Sequence, residues 1–582
     1  MDSYVSLRRW SLSLALIGLA LAASSVFAFA APVPPAPGGI QPPEDFQSLA
    51  AGSPATLVDV QVVPPQSLDP HWMYDTSSLR VAPQVYETLT MSARDGTDAL
   101  LPGLATGWDA SPDTRTFTFT VRPGVTFHAG GMMEAHDVAY SLQRALLQDR
   151  GSGPMWMLLD VLFGVYHVND IPGDDLVKCQ TVKDAVVYAD DAWTVTVHLD
   201  HPDATMPLML AQPFSSVLDK EWMAANGGWG GDCADWRDYY NPPASGSILF
   251  DRANGTGPFL LGGRTASQIQ LLRYEGYWRA QLGWPEAPSS PAALESVILR
   301  YASEWETRRD QLLSGEADFV YVAGDQVADL DTHVWGTYDG LVDPAPTLIN
   351  PVTGTLRLYR NLPQATQTPF IFCYDINTDA NPYIGSGALD GDGIPPDFFA
   401  DPHVRKAFNY AMDWETLIED AYNGEALRSR GPIPSGMMGY TETQATYPYS
   451  LAFSALEFQQ AFGGLVWSQG FSMTVAYNTG NVTRQRMAEV LADGLVAVHG
   501  SFHVNVIGIP WGDLLAARDA RRLPIYGGGW MEDLHHPNNW VQPFLHSQGP
   551  YAWYQSFPQA MAATFDAKVE ACALLVEEGE AR

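Results

Sequence analysis

Residues 101–144 read LPGLATGWDASPDTRTFTFTVRPGVTFHAGGMMEAHDVAYSLQR, and most of the fold follows from how this stretch divides. Between 116 and 122 (TFTFTVR) apolar and polar side chains alternate, the period of a half-buried strand, and Pro123-Gly124 closes it with a turn. From 134 to 147 the period changes. Val138, Leu142, Ala145 and Leu146 recur at helical spacing and fall on one face, so a helix is expected there. Strand, tight turn and amphipathic helix within 44 residues predict mixed α/β structure rather than a helical bundle or a β-sandwich.

The same grammar extends outward. Residues 56–63 (TLVDVQVV) predict a strand stopped by Pro64-Pro65, and 78–89 a helix with Pro83 near its start. Residues 193–199, 268–274, 296–301 and 471–477 predict further strands. Helices are expected over 305–314, ending at Gly315, and over 401–422, with Pro402 in the first turn and Gly424 beyond the end. Asn481 is placed to cap a helix running to about 498. No repeat at a period of 20 to 50 residues is visible. The last stretch, 565–582, has helical periodicity but no capping glycine, proline or following element, and the expectation is an incomplete C-terminus.

Composition narrows the function. The chain has 582 residues, with 66 acidic against 32 basic side chains, a formal charge of −34. Only five cations are Lys, so the positive charge is nearly all Arg. So acidic a surface repels phosphate backbones, and nucleic-acid binding is not expected. At 12% aromatic residues, burial of large side chains excludes a disordered chain. No Gly-Lys dipeptide is present, which removes a phosphate-binding loop; His-Glu-x-x-His and Gly-x-Ser-x-Gly are absent too. At the N-terminus, Arg8-Arg9 precede an uncharged stretch, 10–31, with an apolar centre at 12–23 and Ala28-Phe29-Ala30 as a cleavage site. That pattern predicts a signal peptide over 1–30, the alternative being an uncleaved anchor. Residues 31–55, rich in Pro, predict an extended linker. Four cysteines, 179, 233, 373 and 572, allow three pairings; in an oxidising compartment Cys179 with Cys233 is the pair favoured.

Read together, these segments resemble the family 5 extracellular solute-binding proteins, the dipeptide, oligopeptide and nickel receptors of ABC importers. The resemblance rests on the 101–144 block, on Ser67-Leu68-Asp69-Pro70 and Val85-Tyr86-Glu87-Thr88-Leu89, and on Gly255-Thr256-Gly257-Pro258-Phe259 with 274–278. Leu312 to Asp318, Asp401 to Ala407 with Ala411-Met412-Asp413, Tyr477 to Asn481 and Gly529-Trp530-Met531-Glu532-Asp533 complete it. It departs from the family after Asp533, where His536-Pro537 stands for the usual Asp-Pro.

The resemblance implies a type II periplasmic-binding-protein-like fold, α/β with mixed α+β character, in which two main lobes close on a ligand cleft and carry an extra subdomain. The corresponding division is lobe I from 56–95 and 241–345, the extra subdomain (lobe II) from 96–240, lobe III from 346–560, and a return to lobe I beginning at 561–582. It implies a monomeric receptor, periplasmic or at the cell surface, that delivers a peptide or similar small solute to a membrane permease, with no cofactor, resident metal or bond-making chemistry. Asp533 matches the position that holds the ligand's α-ammonium in peptide binders, and Gly529 and Trp530 lie beside it. Trp540, Trp72 and Tyr74 are further ligand-binding candidates. His535 and His536 raise the question of nickel or haem, although adjacent side chains on a strand diverge. The competing readings are a secreted hydrolase of unrecognised type and a sensor that uses the same fold without transport.

Overall fold

The computed structural model describes residues 55–573, except 94–98, 151–152, 190, 192, 280–290, 323, 340–342, 361 and 363. The expected signal peptide, most of the Pro-rich linker and the last residues of the chain lie outside the described residues. No helix among the described residues is long and apolar enough to cross a membrane. The described chain divides into two compact units, one up to residue 322 and one from 324 onward.

The first unit is built on two larger sheets, beside the two-stranded pair Thr90–Ser92 and Leu100–Pro102. One runs in the order Phe319–Val320, Thr56–Gln61, Ser296–Tyr301, Gln268–Arg273, Phe259–Arg264, parallel across the first three strands and antiparallel beyond. Its register sets Val58 opposite Ile298, and these two share a small core with Val60 and Ala317. The other sheet is antiparallel, in the order Ala105–Ala110, Thr116–Val121, Thr194–His198, Val186–Tyr188. Here the alternation seen in the sequence is realised: Phe117, Phe119 and Val121 are buried, as are Val195 and Val197, whereas Thr116 and Thr118 are not. Helix Ala135–Gln148 packs on this sheet, started by a capping box in which Glu134 and Asp137 serve each other's backbone N–H groups. Cys179, in helix Asp175–Ala185, is disulfide-bonded to Cys233, with Cα atoms 5.5 Å apart.

Three of the stretches singled out in the sequence meet around one carboxylate. Glu87 accepts hydrogen bonds from Thr256 (2.9 Å), Tyr277 (2.8 Å) and the Trp278 indole (2.6 Å), and pairs with Arg279 at 3.2 Å. Gly255 and Gly257 lie against the last turn of helix Thr76–Val85, where a Cβ on Gly255 would collide with the backbone of Val85 and one on Gly257 with that of Gln84 and Val85. That helix ends at Val85, short of the expected 89, because Tyr86 turns extended and frees Glu87 for this cluster. A second set joins Asp69 to Arg144, the last residue of the 101–144 block, at 2.6 Å. His71 and Ser247 complete it.

The second unit contains a parallel βαβ element: strand Phe471–Asn478, helix Val482–Val498 and strand Phe502–Ile509, in register from Phe471 opposite Phe502. Asn481 caps the helix, its side chain accepting from the Arg484 N–H. An aromatic core of Phe398, Phe399, Phe408, Phe458, Phe471 and Phe502 lies beside it, with Phe399 and Phe408 edge-to-face at 5.1 Å. The expected single helix over 401–422 is two, Pro402–Ala411 and Trp414–Tyr422. Met412 is extended and Asp413 caps the second, its side chain accepting from the Thr416 N–H. An acid that looked like one more polar residue in a periodic run is the start of a new helix. Cys373 is a buried free thiol, its pKa pushed up to about 12 by burial, and therefore inert.

Candidate functional site

The segment that carries Asp533 is assembled from short strands. Ile525–Gly527 pairs antiparallel with Phe370–Phe372, and Trp530–Met531 with Thr366–Gln367. Between them Gly528 and Gly529 belong to neither ladder; the Gly528 N–H donates to the Pro369 carbonyl at 3.0 Å. A side chain at this point would be crowded. A Cβ on Gly528 would stand 3.2 Å from Ile371 and 3.4 Å from Tyr551, and one on Gly529 would stand 3.3 Å from Nη2 of Arg484.

Asp533 follows the second strand and is half-buried. Its backbone N–H donates to the Asn539 side-chain oxygen at 2.8 Å, which ties the loop to helix Asn538–Leu545. Glu532 beside it is engaged: one oxygen takes the His535 ring nitrogen at 2.6 Å, the other the Trp540 indole N–H at 3.2 Å. His536 instead accepts the Asn538 N–H through Nδ1 at 3.2 Å. The two histidines therefore serve different partners, and the group of potential metal ligands that lies close together among the described residues is elsewhere, at His136, Asp137 and Glu221. There the Asp137 oxygens receive the backbone N–H groups of Glu134 and Lys220, a capping role that leaves them committed.

Trp530 packs edge-on against Phe544 (6.0 Å) and Tyr551 (5.8 Å), with its indole nitrogen buried and without a hydrogen-bond partner among the described residues. The Tyr551 hydroxyl donates to the Gly529 carbonyl at 2.8 Å. Burial raises its pKa, with Tyr526 adding to the rise and Arg518 and Arg484 opposing it, so Tyr551 stays a neutral donor. Trp540 is fully buried, and its role is to hold Glu532. In the first unit Trp72 is 6% exposed, its indole donating to the Pro242 carbonyl (2.9 Å) beneath the Arg150 guanidinium, 3.8 Å from the ring centroid. Tyr74, two residues on, is half-buried.

Within the second unit the structure thus brings together Gly529, Trp530, Asp533 and Trp540, with Trp72 and Tyr74 in the first. Sequence reasoning passed over Arg484, Asn478 and Tyr551. The available signal was Asn478 at the end of a strand with Arg484 in the first turn of the next helix, the place where α/β proteins gather ligand groups. A hollow of about 330 Å³ lined by Arg521, Ser547, Trp553, Ser556 and Phe557 lies in the same unit and includes none of these residues.

The sequence profile of the family described as bacterial extracellular solute-binding proteins, family 5 middle, matches residues 99–552. Among individual proteins, the chain is 24% identical over 471 residues to heme-binding protein A of Haemophilus influenzae, covering 80% of this chain and 72% of that one. It is 23% identical over 487 residues to the dipeptide-binding protein of Escherichia coli, covering 82% and 75%. Among solved structures, it is similar to the periplasmic binding protein DppA of Helicobacter pylori, in complex with the peptide STSA. That likeness has a TM-score of 0.61 at 20% identity and covers 90% of this chain and 88% of that one. The Burkholderia pseudomallei OppA structure gives a TM-score of 0.60 at 17% identity, over 90% and 88%. These likenesses place the fold among type II periplasmic binding proteins.

Proposed function

Since the chain belongs to family 5 of the bacterial extracellular solute-binding proteins, we propose that it is the receptor of an ABC importer. It takes up a peptide or similar small solute outside the cytoplasm and passes it to a membrane permease unaltered. In this reading Asp533 holds the solute's ammonium group. The observation that carries it is the construction of residues 527–533: two glycines between two strand pairs, where a Cβ would crowd Ile371, Tyr551 and Arg484, then a half-buried carboxylate whose backbone is pinned by Asn539.

A buried ammonium must recover the hydrogen bonds it gives up to water, and an ionised carboxylate returns them in charge-assisted form. Trp530 beside it offers an apolar wall, and Tyr551 a neutral hydroxyl. The relatives described above are binding proteins, which supports capture without turnover over the hydrolase reading. Mass spectrometry of solute released from protein purified from its native host tests the proposal. A bound peptide or amine-bearing small molecule is expected, and Asp533→Asn is expected to lower its occupancy. Conversion of the solute to a product by the wild-type protein overturns the reading.

A further inference from the structure

The first turn of helix Ala135–Gln148 carries a histidine whose two ring nitrogens both face carboxylates. Nδ1 of His136 stands 3.5 Å from Oε2 of Glu134, while Nε2 stands 3.0 Å from Oε1 of Glu221 and 3.7 Å from Oδ1 of Asp137. An imidazole set against one carboxylate, as His403 is against Glu457 at 2.6 Å, needs only the N–H that a neutral ring owns. His136 has one N–H for contacts on both sides. With that hydrogen turned to Glu134, Nε2 presents a lone pair to two acceptor oxygens, and lone pairs so close repel. A cation among the three atoms turns the repulsion into attraction.

The spacing suits one ion. The three atoms lie within 4.8 Å of one another. Two ligands about 2.1 Å from the same ion stand about 3.0 Å apart at a right angle and about 3.4 Å apart at a tetrahedral one. The observed 3.0 Å and 3.7 Å lie close to that range. The Asp137 carboxylate is fully buried and held still: Oδ2 takes the Glu134 N–H at 2.9 Å and Oδ1 the Lys220 N–H at 3.0 Å. Each bond engages one lone pair, and Oδ1 keeps another for an ion. Glu221, on helix Lys220–Ala225, is the solvent-facing member, its side chain 69% exposed. Both helices begin here, and the partial charge of about +0.5 at each N-terminus opposes a cation. The three carboxylates of Glu134, Asp137 and Glu221 outweigh it. We infer that His136 Nε2, Asp137 Oδ1 and Glu221 Oε1 form a binding site for a divalent transition-metal ion of the zinc class. Glu134 is the outer carboxylate that orients the imidazole, the arrangement usual around a ligating histidine. An imidazole among the ligands favours zinc, nickel or copper over magnesium and calcium. The ion ties the first turns of two helices together, and three protein ligands leave a position open to water. The site belongs to the first unit and is independent of the solute-binding reading, whose Asp533 lies in the second.

Isothermal titration of the protein with zinc chloride tests the site. Wild type is expected to bind zinc there and to keep it against excess magnesium. Glu221→Gln, a change to an exposed side chain, is expected to weaken binding at least tenfold, and His136→Gln to abolish it at this site. Near-UV circular dichroism checks that both variants are folded. If His136→Gln is not, wild type alone decides: zinc is expected to shield His136 from carbethoxylation by diethyl pyrocarbonate, read by peptide mass spectrometry. No zinc binding by wild type overturns the site and leaves a proton on Nε2 as what joins the three groups. Binding undiminished in either variant, or a His136 modified equally with and without zinc, overturns it as well and places the ion elsewhere. Displacement by magnesium overturns the assignment to a transition metal.

Discussion

The buried trio of Asp69, His71 and Arg144 makes the stability of the first unit depend on pH in a calculable way. The His71 ring lies between two fixed groups: Nε2 is 3.0 Å from the Ser216 carbonyl, and Nδ1 is 2.8 Å from Nη1 of Arg144. A carbonyl only accepts and a guanidinium only donates, so Nε2 carries the proton and Nδ1 must stay bare. Protonating Nδ1 would set one N–H against another. Burial, first, and the Arg144 charge, second, accordingly bring the His71 pKa down from 6.5 to about 4. Asp69, at about 2, remains ionised throughout this range, and Tyr86 nearby is neutral. Because the folded pKa lies below the unfolded one, the unfolded chain takes up the proton first as pH falls. The stabilisation is complete above about 6.5 and is lost down to about 4, with roughly 2 kcal/mol gone at pH 5. Urea denaturation of wild type and His71→Gln at pH 7.5, 6.5, 5.5 and 5.0 measures it. The variant keeps a donor for Ser216 and has nothing to titrate, so the stability gap between the two proteins should shrink by about 2 kcal/mol from pH 7.5 to 5. A gap that stays constant refutes the account of a histidine held neutral by its neighbours.

Other outcomes follow from the same geometry. Replacing Asp533 by Asn should weaken binding of an amine-bearing solute by about 1.5–3 kcal/mol, some ten- to a hundredfold, read by titration calorimetry with no change in melting temperature. Removing the Cys179–Cys233 disulfide, whose partners are 54 residues apart, should cost about 4 kcal/mol in urea denaturation of the Cys179→Ala, Cys233→Ala double variant. Gly494→Ala should destabilise although alanine favours helices. The added carbon in helix Val482–Val498 meets the Ala411 carbonyl oxygen, and overpacking of about 1–3 kcal/mol outweighs the roughly 1 kcal/mol of propensity, as a melting curve would register.

Much of the fold is local, and what is local can be read from the sequence. The strand at Thr116–Val121 follows from the pleat, which sends alternate side chains to opposite faces. Helix Trp305–Ser314 ends at Gly315 because that residue takes a left-handed conformation that glycine adopts freely. The start of helix Val482–Val498 is written in Asn481, whose side chain reaches a backbone N–H three residues on. Each of these depends on atoms within a few residues, so period and cap residues suffice. The resemblance carried the rest of the fold class, and with it the choice of Asp533.

What tertiary structure decided is which groups meet. No spacing in the sequence announces that Glu87 collects partners from residues 256 to 279, or that Met412-Asp413 breaks a periodic run because Asp413 caps the helix that follows. Tryptophans 72 and 540 are ligand-binding candidates by sequence, and no spacing announces that their indoles bond to Pro242 and Glu532. Arg484 looked like one arginine among many on an acidic chain. Only packing shows that it is buried with no carboxylate paired to it among the described residues, since whether a charge is compensated depends on distances across the fold, which periodicity does not encode.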